Sequence, residues 1–179
     1  MYKLVSRSHP ALHKKAKSVE EFTHPRLLRL ISGMKEIMMQ YRGIGLAAPQ
    51  IGKSIRVFVV DRELIKKSEE ENDTTKLRRL KRLFKKKQPD VFINPVIRSI
   101  SGKGFLLEEG CLSISGIFGT VPRAREIVVE ALNERGRKFK VRATGLYAHV
   151  LQHEIDHLNG ALFIERVVEG SLHKLKNKS

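Results

Sequence analysis

The chain has 179 residues, 41% of them hydrophobic, which is enough to bury a substantial core and fits one domain over 1–179. A single cysteine, Cys111, excludes an intrachain disulfide, no stretch approaches the roughly 18 consecutive apolar residues that cross a bilayer, and MYKLVSRSHP is not a secretory signal, so a cytoplasmic protein with no membrane partner is expected. A formal net charge of +16 points to polyanionic surroundings such as RNA and says nothing about fold.

The first long element is a helix over 25–41. Pro25 lies in its first turn, Leu27, Leu28, Ile31, Met34, Ile37, Met38 and Tyr41 share a face, and Gly43 ends it. GIGLAAPQ, residues 43–50, lacks the third glycine and the preceding strand of a phosphate loop. Taken alone it reads as a plain helix-to-strand connection; the alternative is a loop whose backbone approaches another chain closely, with Pro49 stiffening the turn and Gln50 offering a side-chain amide donor. IRVFVV, 55–60, reads as a buried strand.

Residues 61–90 form a charged excursion. An acidic patch of Glu69, Glu70, Glu71 and Asp73 precedes KLRRLKRLFKKK, 76–87, which holds eight basic residues and no acidic one. Leu77, Leu80, Leu83 and Phe84 recur at helical spacing there, so a basic amphipathic helix competes with a solvated loop.

VFINPVI, 91–97, is a strand in which Pro95 marks an edge or a bulge. EIVVEAL, NERG and RKFKVRA make a hairpin, with Phe139, Val141 and Ala143 alternating against Lys138, Lys140 and Arg142. A second helix covers 146–160, with Thr144 as N-cap, Leu146, Val150, His153 and His157 in one stripe, and Gly160 as terminator. Strands scattered around two unlike helices define an α+β fold, mixed or antiparallel sheets packed around the helix that carries HEIDH.

HEIDH supplies the chemistry. His153 and His157, four residues apart on a helix, project from one face one turn apart, as two ligands of a tetrahedral metal ion must. Glu154 adjoins the first of them and is placed for general acid/base work on water rather than as a ligand. The motif also arises by chance, so a third ligand decides. One protease pattern needs a histidine where Phe163 stands; another needs a distant downstream glutamate, and Glu165 and Glu169 lie too close to fold back. The ligand is therefore sought upstream, in LLEEGCLSIS, where Cys111 follows Gly110 and the acidic pair Glu108 and Glu109. A lone cysteine is ordinarily a small core residue. Together with two histidines and one water it composes an open catalytic site.

Three motifs, GIGLAAPQ, EGCLS and QHEIDHLNG, stand in the order found in the peptide deformylases, and the chain resembles that family from about residue 5 to residue 168. The resemblance implies hydrolysis of the formyl group from the N-terminal methionine of newly made proteins. It makes Cys111, His153 and His157 the ligands of one divalent ion, Fe(II) with zinc, nickel or cobalt able to replace it, and Glu154 the catalytic carboxylate. It further implies that Gln50 and the backbone N–H of Leu112 stabilise the developing oxyanion. An extended nascent peptide would pair with the backbone of Ile44, Gly45 and Gly110, its methionine side chain surrounded by Ile44, Leu107, Leu146, His149 and Val150.

The chain departs from the family's pattern at Ser115, where proline is frequent, in the following loop SGIFGTVPR, and in lacking the long C-terminal helix some members carry. Since some members dock on the ribosome through that basic helix, the 76–87 stretch is the alternative candidate for contacting ribosomal RNA. Two rival readings remain at this stage. One is a metallopeptidase that cleaves internal peptide bonds, the other an RNA- or ribosome-binding protein whose metal site has lost activity.

Overall fold

Two apolar strands, covered on both faces, explain why their sequences show no alternation. The computed structural model describes residues 2–22, 24–65 and 90–174; the basic stretch 76–87 and the helix expected there lie outside the described residues. A five-stranded antiparallel sheet runs β1 (Gly45–Ala47), β2 (Val57–Val60), β3 (Val91–Ser101), β6 (Glu126–Leu132) and β7 (Lys138–Thr144) in that spatial order. A three-stranded sheet holds β4 (Phe105–Cys111), β5 (Ile114–Arg123) and β8 (His173–Lys174) in the order β4-β5-β8.

Helix α1 (Pro25–Gln40) packs Leu27, Leu30, Ile31, Met34, Ile37 and Met38 on Val57, Val59, Val91 and Ile93. Phe58, Val60 and Phe92 point to the other face and meet α2 (Gly145–Leu158) through Ala148, Leu151 and Ile155. Each such large side chain contributes about 1.5–3 kcal/mol by leaving water. The expected stripe on α1 needs two changes. Leu28 is 45% exposed and Leu30 is buried in its place, and Tyr41 is 50% exposed because the helix stops at Gln40 and leaves it as the C-cap.

Pro95 is tolerated inside β3 because the strand bulges there. The register with β6 shifts between Ile93 and Val96, and Asn94 adopts φ 50°. The strand is therefore interior and bulged, not an edge. The bulge fastens an N-terminal belt: Asn94 Oδ1 accepts from the Val19 N–H and its Nδ2 donates to the Val19 carbonyl, both at 2.8 Å. The same belt donates from Ala16 to the Leu158 carbonyl and from Val5 to the Gln50 carbonyl, each at 2.9 Å.

SGIFGTVPR, expected as a loop, is strand β5 over its whole length. Its two glycines and proline hide the alternation. Pro122 is accepted because β8 reaches β5 only at Ile117 and Phe118, so no ladder partner is lost on that side. The expected hairpin of β6 and β7 forms with Phe139, Val141 and Ala143 inward. Helix α2 begins after Thr144, whose side chain makes no capping bond; the Gly145 N–H donates to the Arg125 carbonyl instead. It is terminated by Gly160, at φ 78°, where a Cβ would come within 2.8 Å of the Lys14 nitrogen. Among the described residues no helix is long and apolar enough to cross a membrane.

Candidate metal centre and catalytic cleft

Cys111 is the last residue of β4. The tight turn Leu112–Ser113 joins it to Ile114, and the pairing slips between Gly110 and Cys111 so that Ser115, Gly116 and Ile117 bow outward. This presents the thiol to the stripe of α2 that carries His153 and His157. The ligand atoms of Cys111, His153 and His157 all lie within 4.8 Å of one another. Cys111 Sγ is 3.3 Å from His157 Nε2. One soft thiolate and two imidazoles form a donor set that suits zinc or ferrous iron and leaves room for a fourth, non-protein ligand.

The imidazoles are held from behind. His153 Nδ1 bonds Glu109 Oε2 at 2.7 Å, which turns Nε2 toward the cluster. Glu109 also receives a forked pair from Arg123, Nε to Oε1 at 2.7 Å and NH2 to Oε2 at 3.0 Å, and it touches His149 Nε2. Arg123 continues to Asp156, which in turn takes Arg166 Nε at 2.6 Å. Burial would raise the Glu109 carboxyl, but the bonds from His149, His153 and Arg123 outweigh it and hold it well below the ordinary carboxylate range. Burial pushes His157 well below its usual value, so it is neutral and ready to ligate. Burial also opposes charge on His153, yet its bonds to Cys111 and Glu109 prevail and raise it well above the usual range.

Glu154 is 3% exposed, and its Oε2 has no hydrogen-bond partner among the described residues. Burial lifts its carboxyl to about 7, against a smaller opposing pull from His153. The backbone of Gly45 lies directly on this carboxylate, and a Cβ there would stand 2.9 Å from Glu154 Cδ. Only glycine lets β1 pass that close. Gln50, 1% exposed, accepts the Ala47 N–H through Oε1 at 2.7 Å, which turns Nε2 into the cleft, where it donates to Cys111 Sγ at 3.4 Å.

These groups floor a cleft of ≈ 850 Å³. Of the residues expected around substrate, Ile44, Gly45, Gln50, Gly110, Leu112, Leu146, His149 and Val150 line it together with Cys111, His153 and Glu154. Leu107, opposite Val121 on β5, does not. His149 is more than pocket wall: it abuts Glu109 and sets its ring edge-on to Phe105, with centroids 5.6 Å apart. Sequence reasoning missed Glu109, Arg123 and Asp156 as a linked set. Asp156 stood inside HEIDH and could have been flagged as a buried acid needing a cation; nothing in the sequence says which cation. His9, His13, His24 and His173 lie away from the cluster; His9 and His24 cap helix starts through Nδ1.

A thiolate and two imidazoles converging beside a buried carboxylate and a fixed amide donor define a metal-dependent hydrolase. The sequence model of the polypeptide deformylase family matches residues 1–172. The chain is 42% identical to the peptide deformylase of Neisseria meningitidis serogroup C, covering 93% of this chain and 87% of that one. It is 44% identical to that of Halothermothrix orenii, covering 89% and 88%. The crystal structure of peptide deformylase from Thermotoga maritima superposes with a TM-score of 0.77 at 37% identity, covering 94% of this chain and 98% of that one. The chain belongs to the peptide deformylase family, enzymes that remove the formyl group from the N-terminal formyl-methionine of newly synthesised proteins and release formate.

Proposed function

We propose that residues 1–179 form one catalytic unit in which Cys111, His153 and His157 hold a single divalent ion, Fe(II) in the cell. The observation that carries this is the convergence of their three ligand atoms within 4.8 Å, with Glu154 and Gln50 beside them. When bound, such an ion supplies Lewis acidity, lowering the pKa of water and polarising a carbonyl. Glu154 takes the proton from the attacking water and delivers it to the departing methionine amine; its buried Oε2, with no hydrogen-bond partner among the described residues, is available for both transfers. Gln50 Nε2 and the Leu112 N–H receive the charge that grows on the formyl oxygen, and Ala47 keeps the Gln50 amide from turning away.

The backbone of Ile44, Gly45 and Gly110 holds the peptide extended, so its later side chains are not read by those bonds. Ile44, Leu146, His149 and Val150 enclose the methionine side chain. The enzyme works in the cytoplasm on nascent chains, and the basic 76–87 stretch contacts ribosomal RNA, a reading that rests on its eight cations alone. Anaerobic purification should return about one ferrous ion per chain and formate from a formyl-methionyl peptide, with activity decaying in air. A metal-loaded protein that cleaves internal peptide bonds and releases no formate would sink the assignment. Replacing Arg78, Arg79, Lys81 and Arg82 by alanine should weaken and flatten the salt dependence of co-sedimentation with ribosomes; unaltered co-sedimentation removes the RNA contact.

A further inference from the structure

Helix α1 ends in a conformation made for glycine, and the chain places arginine there. After the C-cap Tyr41, Arg42 takes φ 53°, its N–H donating to the Met39 carbonyl at 3.0 Å while the Gly43 N–H reaches Met38 at 2.8 Å. This is the left-handed position at which helices usually stop on glycine, which adopts it freely where a side chain adopts it at a cost. A strained non-glycine residue on the rim of a catalytic cleft is a pointer to function. Arg42 is exposed and lines the cleft. Among the described residues it is the one lysine or arginine that does so, and it has no acidic partner there. Glu108, the exposed acid that also lines the cleft, is engaged by His173 Nε2 at 3.2 Å. The segment also sets a direction. Gly45 is buried against Glu154, Ile44 and Gly43 are half-buried, and Arg42 is exposed, so the chain climbs from the reacting end of the cleft to its rim.

We propose that Arg42 is a specificity-determining residue that favours peptides carrying aspartate or glutamate at one of the two positions after formyl-methionine. The proposal rests on the extended-peptide reading above, because a peptide whose formyl end lies at Cys111 and which leaves along Gly45, Ile44 and Gly43 passes Arg42 within two residues of its methionine. An exposed charge pair is modest, so the expected preference is about threefold in kcat/KM for aspartate over alanine, and about tenfold for aspartate over lysine, fading as salt approaches about 0.5 M.

The test compares formyl-Met-Asp-Ala, formyl-Met-Ala-Asp, their alanine and their lysine counterparts on the iron-loaded enzyme at low and high salt, with the same ratios measured for Arg42→Gly, Arg42→Gln and Arg42→Lys. The expected result is an acidic preference that Arg42→Lys keeps, that Arg42→Gly and Arg42→Gln abolish, and an Arg42→Gly protein melting no lower than the parent. A preference absent from the parent, or surviving in both neutral variants, overturns the role of Arg42 while leaving the deformylase reading intact. No formate from any of the peptides overturns both.

Discussion

Between β2 and β3 the five-stranded sheet meets its helices through Phe58, Phe92 and Ile93, none with any exposed surface, whereas the three-stranded sheet meets α2 through Arg123, Glu109 and Asp156. The first contact is apolar, non-directional and tolerant of small shifts. The second is ionic and directional, and it costs desolvation that only good geometry offsets. The difference teaches why the metal ligands are shared between them: His153 and His157 ride on the helix the apolar core fixes, and the Glu109 network brings Cys111 and its strand into register against that helix.

The contrast breaks most visibly at Glu154, which belongs to neither cement. Glu154→Ala should lower turnover by about a hundredfold to ten-thousandfold, as the loss of a general acid/base does, while metal content stays near that of the parent. Because its buried Oε2 has no partner among the described residues, the variant should melt at or above the parent temperature. Near-normal turnover would remove it from the mechanism. Arg123→Met and Phe58→Ala then set the two cements side by side. Each is expected to cost about 3–5 kcal/mol, the first by taking the shared cation from Glu109 and Asp156, which are left with His153 and Arg166, the second by opening a cavity. The unlike result is metal affinity, measured by chelator competition on folded protein. Arg123→Met should lose about tenfold or more, because Glu109 no longer fixes His153, and Phe58→Ala should lose little. Equal losses would show that the seam has no special hold on the site. At the small end, Lys35 and Asp90 form a surface pair at 2.9 Å with side chains 33% and 54% exposed. Removing Lys35 should change neither melting nor turnover measurably.

Much of the apolar half could be read from the sequence, because periodicity reports burial. Phe139, Val141 and Ala143 alternate and form the inner face of β7, and the four-residue step from His153 to His157 survives unchanged in α2. The ionic half could not. Glu109 stands opposite Gly119 and Arg123 opposite Phe105, so their side chains meet off register between β4 and β5, and no local pattern encodes such a contact. β5 was opaque for a related reason, since Gly116, Gly119 and Pro122 imitate loop chemistry, while the bulge takes in Gly116 and the short reach of β8 spares Pro122 a ladder partner. In the same way Leu28 could not be told from Leu30 until the packing of α1 selected one.

The N-terminal belt has a kinetic consequence. Val5 closes on Gln50 and Ala16 on Leu158, so the second of these contacts waits for a partner far along the chain. Contacts so far apart in sequence carry a high contact order, and their loop entropy must be met before they return any energy. A partly synthesised chain has neither α2 nor the clasp around its end. The clasp of Ala16 on Leu158 therefore closes only after the whole of α2 has been made.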